Sequence, residues 1–524
     1  MRSRNSRLGT AAALAGLIAG TAMAGCSTTG MDASDTITIA LAANPTGAFD
    51  PYRNREFGIS EVAPFTHDSL LYKTPEGEFV SRLAATWKAD NTSATFTLTP
   101  GITCADGSAL TAKDVAAAIN FASDAANASW AYGYYTPTAP LTAVGDDASR
   151  TVRVTVAQPY GYLLDTVGLL PILCAAGVKD PDSLANRSNG TGPYVVSAVS
   201  TGETIELKRR DDYAWGPDGT TVADAPATVV FRQIADETTA ANLLLSGDVN
   251  IANVSGPNSD RVRAAGLDSA DAYTAAAWLN FNQREGRATS DRRVREALVH
   301  ALDFKEVIAV STNTHGVAAE GLLVTEPAVC PTNAVAGVLP GQDLERAAKL
   351  LDEAGWVLGS DGKRVKDGVP LTLGLRYWTD RSELERPTAE LLAARWKAIG
   401  VGIEPIGENV GGLVKTLYQT GNFDVYLLGW DLRLGSQFIP YLSGPLPPRG
   451  QNFMALDNPE YVKLSAEANA TTPPQGCDLW GKAERAVVND FDLVPISNRV
   501  TSLFYRGVTG QLTPVEPTSL RATQ

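Results

Sequence analysis

The sequence predicts an α/β fold in which helices alternate with the strands of a largely parallel sheet. One observation is the order of patterns between residues 343 and 430: DLERAAKLLDEAG, PLTLGLRYW, PTAELLAARWKAIG, VGIEPIG and FDVYLLGW. Helical spacing alternates there with short β-branched or aromatic runs, the signature of βαβ units. The other observation is length. A chain of 524 residues is too long for one hydrophobic core, so two or three domains are expected.

The elements follow in order. TITIALA at 36–42 alternates and reads as the first strand, and ATFTLTP at 94–100 as another. Asp106-Gly107 marks a tight turn. Thr111 followed three residues later by Asp114 reads as a capped start to an Ala-rich helix. NGTGPYVV at 189–196 is a turn leading into a strand, and ETIELKRRDDY at 203–213 continues the alternation. ETTAANLLLSGDVNIANV at 237–254 is a helix closed near Gly247, then a strand. TAAAWLNFNQ at 274–283 is strand-like. DRRVREALVHALDFKEVIAV at 291–310 has apolar residues at 294, 297, 298, 301 and 302, which is helical spacing. A helix over 343–355 ends at Gly355, and another starts after Pro387 and stops at Gly400. Residues 27–35 are small and polar and read as a tether. No repeat of 20–50 residues is visible.

The N-terminus reads as a secretory signal. Arg2, Arg4 and Arg7 precede an apolar run from Thr10 to Ala24, too short for a confident membrane span, and small residues close it before Cys26. Met23-Ala24-Gly25-Cys26 resembles a bacterial lipoprotein signal, with Met23 where Leu is usual. That resemblance implies cleavage after residue 25 and a lipid on Cys26, which would hold the chain at the outer face of the plasma membrane. Without residues 1–25 the chain has 41 basic and 58 acidic residues, a net charge of -17. Such a balance argues against nucleic-acid binding. Gly-x-Ser-x-Gly, His-Glu-x-x-His and phosphate-loop motifs are missing, and the three histidines (His67, His300, His315) leave little for a catalytic triad. No enzyme activity, cofactor or metal is expected. If Cys26 is acylated, Cys104, Cys174, Cys330 and Cys477 remain, an even count that suggests disulfides with three possible pairings.

Six segments together resemble the extracellular solute-binding proteins of ATP-binding-cassette importers, in the oligopeptide/dipeptide/nickel-binding group (family 5). They are FVSRLAATWK with ATFTLTPGITCADGSALTAKDVAAAI, NGTGPYVV with IELKRRDDY, LLLSGDVNIA, LNFNQ with DRRVREALVHALD, AAKLLDEAGW with DGVPLTLGL, and GNFDVYLLGW. They stand in family order over nearly the whole mature chain. The resemblance implies a two-lobed periplasmic-binding-protein-like fold (type II, cluster C) with an extra inserted domain. Lobe I would comprise 27–66, 193–286 and 496–524, the inserted domain 67–192, and lobe II 287–495. That division favours Cys104–Cys174 and Cys330–Cys477, one bridge inside each body. It implies a monomer that captures an oligopeptide or similar small solute between its lobes and delivers it to permease subunits. An anionic compound, sugar or metal chelate, or a sensing role without transport, is the alternative.

Three regions are expected to carry binding. Trp278, Asn280 and Asn282 share one face of a strand, and the resemblance places that strand beside the ligand. In peptide-binding relatives a Gly-Trp pair is followed two to three residues on by an Asp that holds the ligand ammonium. Here the run is Gly429-Trp430-Asp431-Leu432-Arg433, with Asp431 too early and Arg433 near the acid's place. Either Asp431 reaches an ammonium, or Arg433 selects a carboxylate or phosphate. Asn452 lies where relatives have an Asn facing the cleft. Trp130, Tyr132, Tyr134 and Tyr135 could form a lid wall, with Tyr134 the leading candidate. Arg53 and Arg55 are weaker candidates for an ion contact.

Overall fold

The computed structural model describes residues 35–42, 49–53 and 57–523. The signal segment and Cys26 lie outside the described residues. Among those described, three sheets organise the chain. The first has the strand order Asp268–Ala275, Ser497–Tyr505, Ile251–Val254, Thr36–Leu41, Thr228–Gln233, Thr204–Arg209 and Tyr194–Ser200, and Gly316–Ala318 adds beside Ser497–Tyr505. The second runs Gly402–Glu408, Thr372–Trp378, Val425–Leu427, Trp278–Phe281 and Leu493–Pro495. The third is antiparallel: Ala84–Ala89, Ser93–Leu98, Thr151–Val156 and Leu141–Asp146. This is a mixed α/β fold with two lobes and an additional body.

The sheets are mixed rather than largely parallel. Thr372–Trp378 pairs in parallel with both Gly402–Glu408 and Val425–Leu427, as the βαβ pattern requires. Trp278–Phe281 enters from the first lobe and pairs antiparallel with both Val425–Leu427 and Leu493–Pro495, the latter leading back to the first lobe. Trp278–Phe281 thus belongs to the second sheet, and the chain crosses between lobes at Ala275–Ala277, earlier than the expected bound at 286.

Local signals explain most elements. Thr111 and Asp114 form a reciprocal capping box on helix Ala112–Ser123, satisfying two helix-end donors. Gly247 closes helix Glu237–Ser246 at φ +88°, a left-handed geometry that favours glycine. The pattern over 291–310 is two helices, Arg292–His300 and Phe304–Ser311. Asp303 causes the break, since its side chain accepts from Lys305 N and so caps a new helix.

Two disulfides join Cys104 to Cys174 and Cys330 to Cys477. The second ties the segment around 322–330 to helix Cys477–Asn489. Glu484 on that helix holds the same segment: its buried carboxylate accepts from Leu322 N at 3.0 Å and Thr332 Oγ1 at 2.5 Å. Val324 N and Val329 N then donate to the carbonyls of Leu432 and Arg433 at 3.2 and 3.0 Å.

Burial pushes the Glu484 carboxyl from its ordinary 4.5 up to about 7. The native state therefore binds this proton more tightly than the unfolded chain. The resulting stability is complete below the unfolded value and is lost as pH rises through about 7. Denaturant unfolding from about pH 5 to pH 8 should show wild type losing about 2–3 kcal/mol relative to Glu484→Gln. Parallel pH profiles for the two proteins would contradict this assignment.

Candidate functional site

A pocket of about 210 Å³ opens where the three bodies meet. Helix Phe57–Thr66 and the residue after it supply Ile59, Ser60, Ala63, Pro64 and His67. Strand Leu71–Lys73 supplies Leu71, Tyr72 and Lys73, and Arg82 follows. Trp130, Tyr135, Leu169 and Pro171 form another wall, Val515 and Glu516 a third, and Arg433 reaches in from the second lobe. Most of this lining is apolar, with a few charged groups at defined points, the usual composition of a small-solute site.

Close packing places His67. Gly190 and Gly192 of the NGTGPY run lie against Thr66 and His67, and a Cβ on either would come within 2.4 Å of that backbone. These glycines are required by space rather than by turn geometry. His67 is 3% exposed, and burial pulls its imidazole down to about 4, so it is neutral. Nδ1 lies 2.9 Å from Thr66 Oγ1, while Nε2 is buried without a protein partner.

The charges divide into paired and unpaired groups. Lys73 Nζ contacts Asp165 at 2.5 Å. Arg82, 7% exposed, is paired with Glu516 and lies 3.6 Å from Asp68. Asp68 in turn accepts from Tyr213 OH at 3.1 Å and Trp215 Nε1 at 3.0 Å. Burial lifts its carboxyl to about 6, with Arg82 opposing the rise. Arg433 has no ion pair within 4 Å among the described residues. It faces Tyr134 and Tyr135, with Asp165 the acid in range. Burial pushes the Tyr135 phenol up to about 12.

The aromatic wall is a cluster. Trp130 lies 5.3 Å from Tyr134 and 5.5 Å from Tyr135, and the two tyrosines are 4.8 Å apart, ring centre to ring centre. Trp130 and Tyr135 line the pocket. Tyr134 stands behind them, and its carbonyl accepts from Gln437 Nε2 at 3.2 Å. Tyr132 turns away and donates to Thr138 O.

The other expected site residues are placed differently. Trp278, Asn280 and Asn282 are fully buried. Trp278 stacks on Phe438 in the core at 6.3 Å. Asn280 Nδ2 donates to Tyr426 O and Leu428 O, its Oδ1 accepts from Trp430 Nε1, and Asn282 Nδ2 donates to Gly421 O and Phe423 O. Both amides therefore hold the strand and loop backbone of the second lobe. Asn452 closes its own loop through Leu456 N and O. Trp430 packs on Tyr441 at 4.4 Å and on Phe453. Asp431 accepts from Ala275 N at 2.7 Å and pairs with Arg381 at 3.1 Å, so its carboxylate is engaged at the crossover. Arg53 lies over the Phe121 ring, and Arg55 is outside the described residues.

Of the expected ligand-binding residues, Arg433 lines the pocket and Tyr134 borders it. His67, Lys73, Arg82 and Glu516 were not anticipated. Arg82 lies inside FVSRLAATWK, but its pocket partners are remote in sequence, and Glu516 is 434 positions away. Only the fold brings them together.

The two-lobed mixed α/β fold with an additional body is the architecture of the periplasmic-binding type. Residues 78–442 match the family described as bacterial extracellular solute-binding proteins, family 5 Middle. The chain belongs to the family 5 extracellular solute-binding proteins, the substrate-binding components of ABC importers, which act outside the cytoplasm. It is 29% identical to Protein XP55 of Streptomyces lividans over 72% of this chain and 68% of the relative. It is 25% identical to the periplasmic oligopeptide-binding protein OppA of Escherichia coli K12 over 90% of this chain and 88% of that one. The structure of a substrate-binding protein from Microbacterium hydrocarbonoxydans, complexed with 4-hydroxybenzoate hydrazide, superposes with TM-score 0.74 and 23% identity, covering 93% of this chain and all of that one. Among the described residues no helix is long and apolar enough to cross a membrane.

Replacing Asn280 by Ala removes the side-chain donor to the Tyr426 and Leu428 carbonyls and the acceptor of the Trp430 indole. Denaturant unfolding of Asn280→Ala should show a loss of about 2–4 kcal/mol. A loss within about 0.5 kcal/mol, the scale of a surface substitution, would remove the structural role given to this amide.

Proposed function

We propose that this chain is a lipid-anchored receptor that captures one small solute in the pocket between its bodies and passes it to a permease. The observation that carries the reading is the pocket itself, walled by the first lobe, the inserted body and Arg433 of the second lobe. A solute there touches all three bodies at once. It therefore favours the closed arrangement, and only such differential affinity can shift an opening equilibrium. The size, about 210 Å³, is about seven water volumes at roughly 30 Å³ each. That supports a compact solute, up to a dipeptide or a single-ring compound. The structural neighbour complexed with 4-hydroxybenzoate hydrazide holds a single-ring compound of that kind. The acyl anchor on Cys26 rests on the Ala-Gly-Cys signal alone.

Native mass spectrometry of the purified mature protein tests capture. Wild type is expected to carry one small solute. Ala63→Phe, which fills the pocket from helix Phe57–Thr66, should lose it while keeping the wild-type circular dichroism. Solute retained at wild-type occupancy by Ala63→Phe would move the site elsewhere. For the anchor, Cys26→Ser should release the protein from the membrane fraction and leave solute affinity unchanged.

A further inference from the structure

Arg433 lines the pocket with no ion pair within 4 Å among the described residues, and its guanidinium stays charged at any accessible pH. A desolvated charge without an ion pair is costly, and Arg433 is met by the Tyr134 and Tyr135 phenols and, at longer range, by Asp165. The other two pocket cations are already matched, Lys73 by Asp165 and Arg82 by Glu516 and Asp68. The same pairings consume the carboxylates that an ammonium group would need. Asp431, the remaining acid near Arg433 in sequence, is held by Ala275 N and Arg381. Among the described residues the pocket therefore presents one cation with no ion pair within 4 Å, beside the Trp130 and Tyr135 rings.

We infer that the solute is a small organic acid whose carboxylate pairs with Arg433 and whose apolar body lies against Trp130 and Tyr135, and that it carries no free ammonium. This rests on the pocket being the solute site. Arg433 is placed for the task from the backbone upward: its N donates to Gln437 Oε1, Val329 N donates to its carbonyl, and Gln437 also holds Tyr134. The guanidinium and the aromatic wall are thus set by one linked group of hydrogen bonds. The fork of a guanidinium matches a carboxylate through two parallel bonds, which a lysine cannot reproduce.

Titration calorimetry with benzoate, benzamide and benzylammonium as probes of one shape tests the inference on the purified mature protein. Benzoate should bind about ten- to a hundredfold more tightly than benzamide, with benzylammonium weaker still. Arg433→Gln should abolish the preference for the acid over the amide, and Arg433→Lys should retain part of it. Equal binding of acid and amide by wild type overturns the inference, as does an acid preference that survives in Arg433→Gln. If Ala63→Phe then blocks both probes, the pocket is still the solute site and only the acid class falls. Binding of benzoate unaffected by Ala63→Phe overturns the pocket reading itself. Failure of all three probes to bind also overturns the inference.

Discussion

The paired crossover between the lobes is the constraint on which the site depends. Ala276 N donates to Ser497 O, Ala277 N to Ser497 Oγ, and Ile496 N to Ala277 O, so the two crossing segments run side by side. Each continues directly into both main sheets. Ala275 then receives the Asp431 carboxylate on its N, and Arg381 spans Ala275 O, Gly429 O and Asp431. Gly429 is small for a matching reason, since a Cβ there would lie 2.5 Å from the Ala275 Cβ. The residues leading to Arg433 are thereby fixed to the hinge itself, and any rotation about the crossover carries Arg433 with it.

That linkage gives the charges of the pocket distinct jobs. Arg82, Asp68 and Glu516 form a buried group joining the inserted body to the C-terminal residues of the first lobe. Removing one member would strand the others in a poorly solvated interior, which is why such groups resist piecemeal change. Lys73 and Asp165 form a second closed account within the inserted body. Arg433 alone arrives from the second lobe. On the proposed reading, a solute that meets it would couple lobe position to occupancy, while the paired groups hold the walls.

Contacts between the inserted body and the second lobe add a further tie. Trp480 Nε1 donates to Tyr162 OH at 2.6 Å, Tyr160 OH lies 3.2 Å from Ser436 Oγ, and Gly161 N donates to Asn469 O at 2.8 Å. Together with the strap held by Cys330–Cys477 and Glu484, they brace the backbone around residues 432–437. The aromatic wall and Arg433 are consequently positioned by elements from opposite sides of the pocket. Such preorganisation limits the ordering cost of binding.

The sequence by itself determined the local pieces and the family. Capping at Thr111 and Asp114, the left-handed stop at Gly247, the alternation of the β-strands and the motif order all act through neighbours a few residues apart, so they are legible in one dimension. Arg433 stood out too, because an arginine occupied the place where an acid was expected, and it lines the pocket. The crossing strand shows the limit of such reading. Alternation correctly placed Trp278, Asn280 and Asn282 on one face, but which face meets solvent and which meets Tyr426 and Leu428 is set by the second sheet. The unbroken apolar spacing at 291–310 likewise hid the cap at Asp303. The pocket itself was decided only by tertiary structure. Its charge balance depends on pairs such as Arg82 with Glu516, and the chain's path in space, not residue type, determines which pocket cation has no ion pair among the described residues.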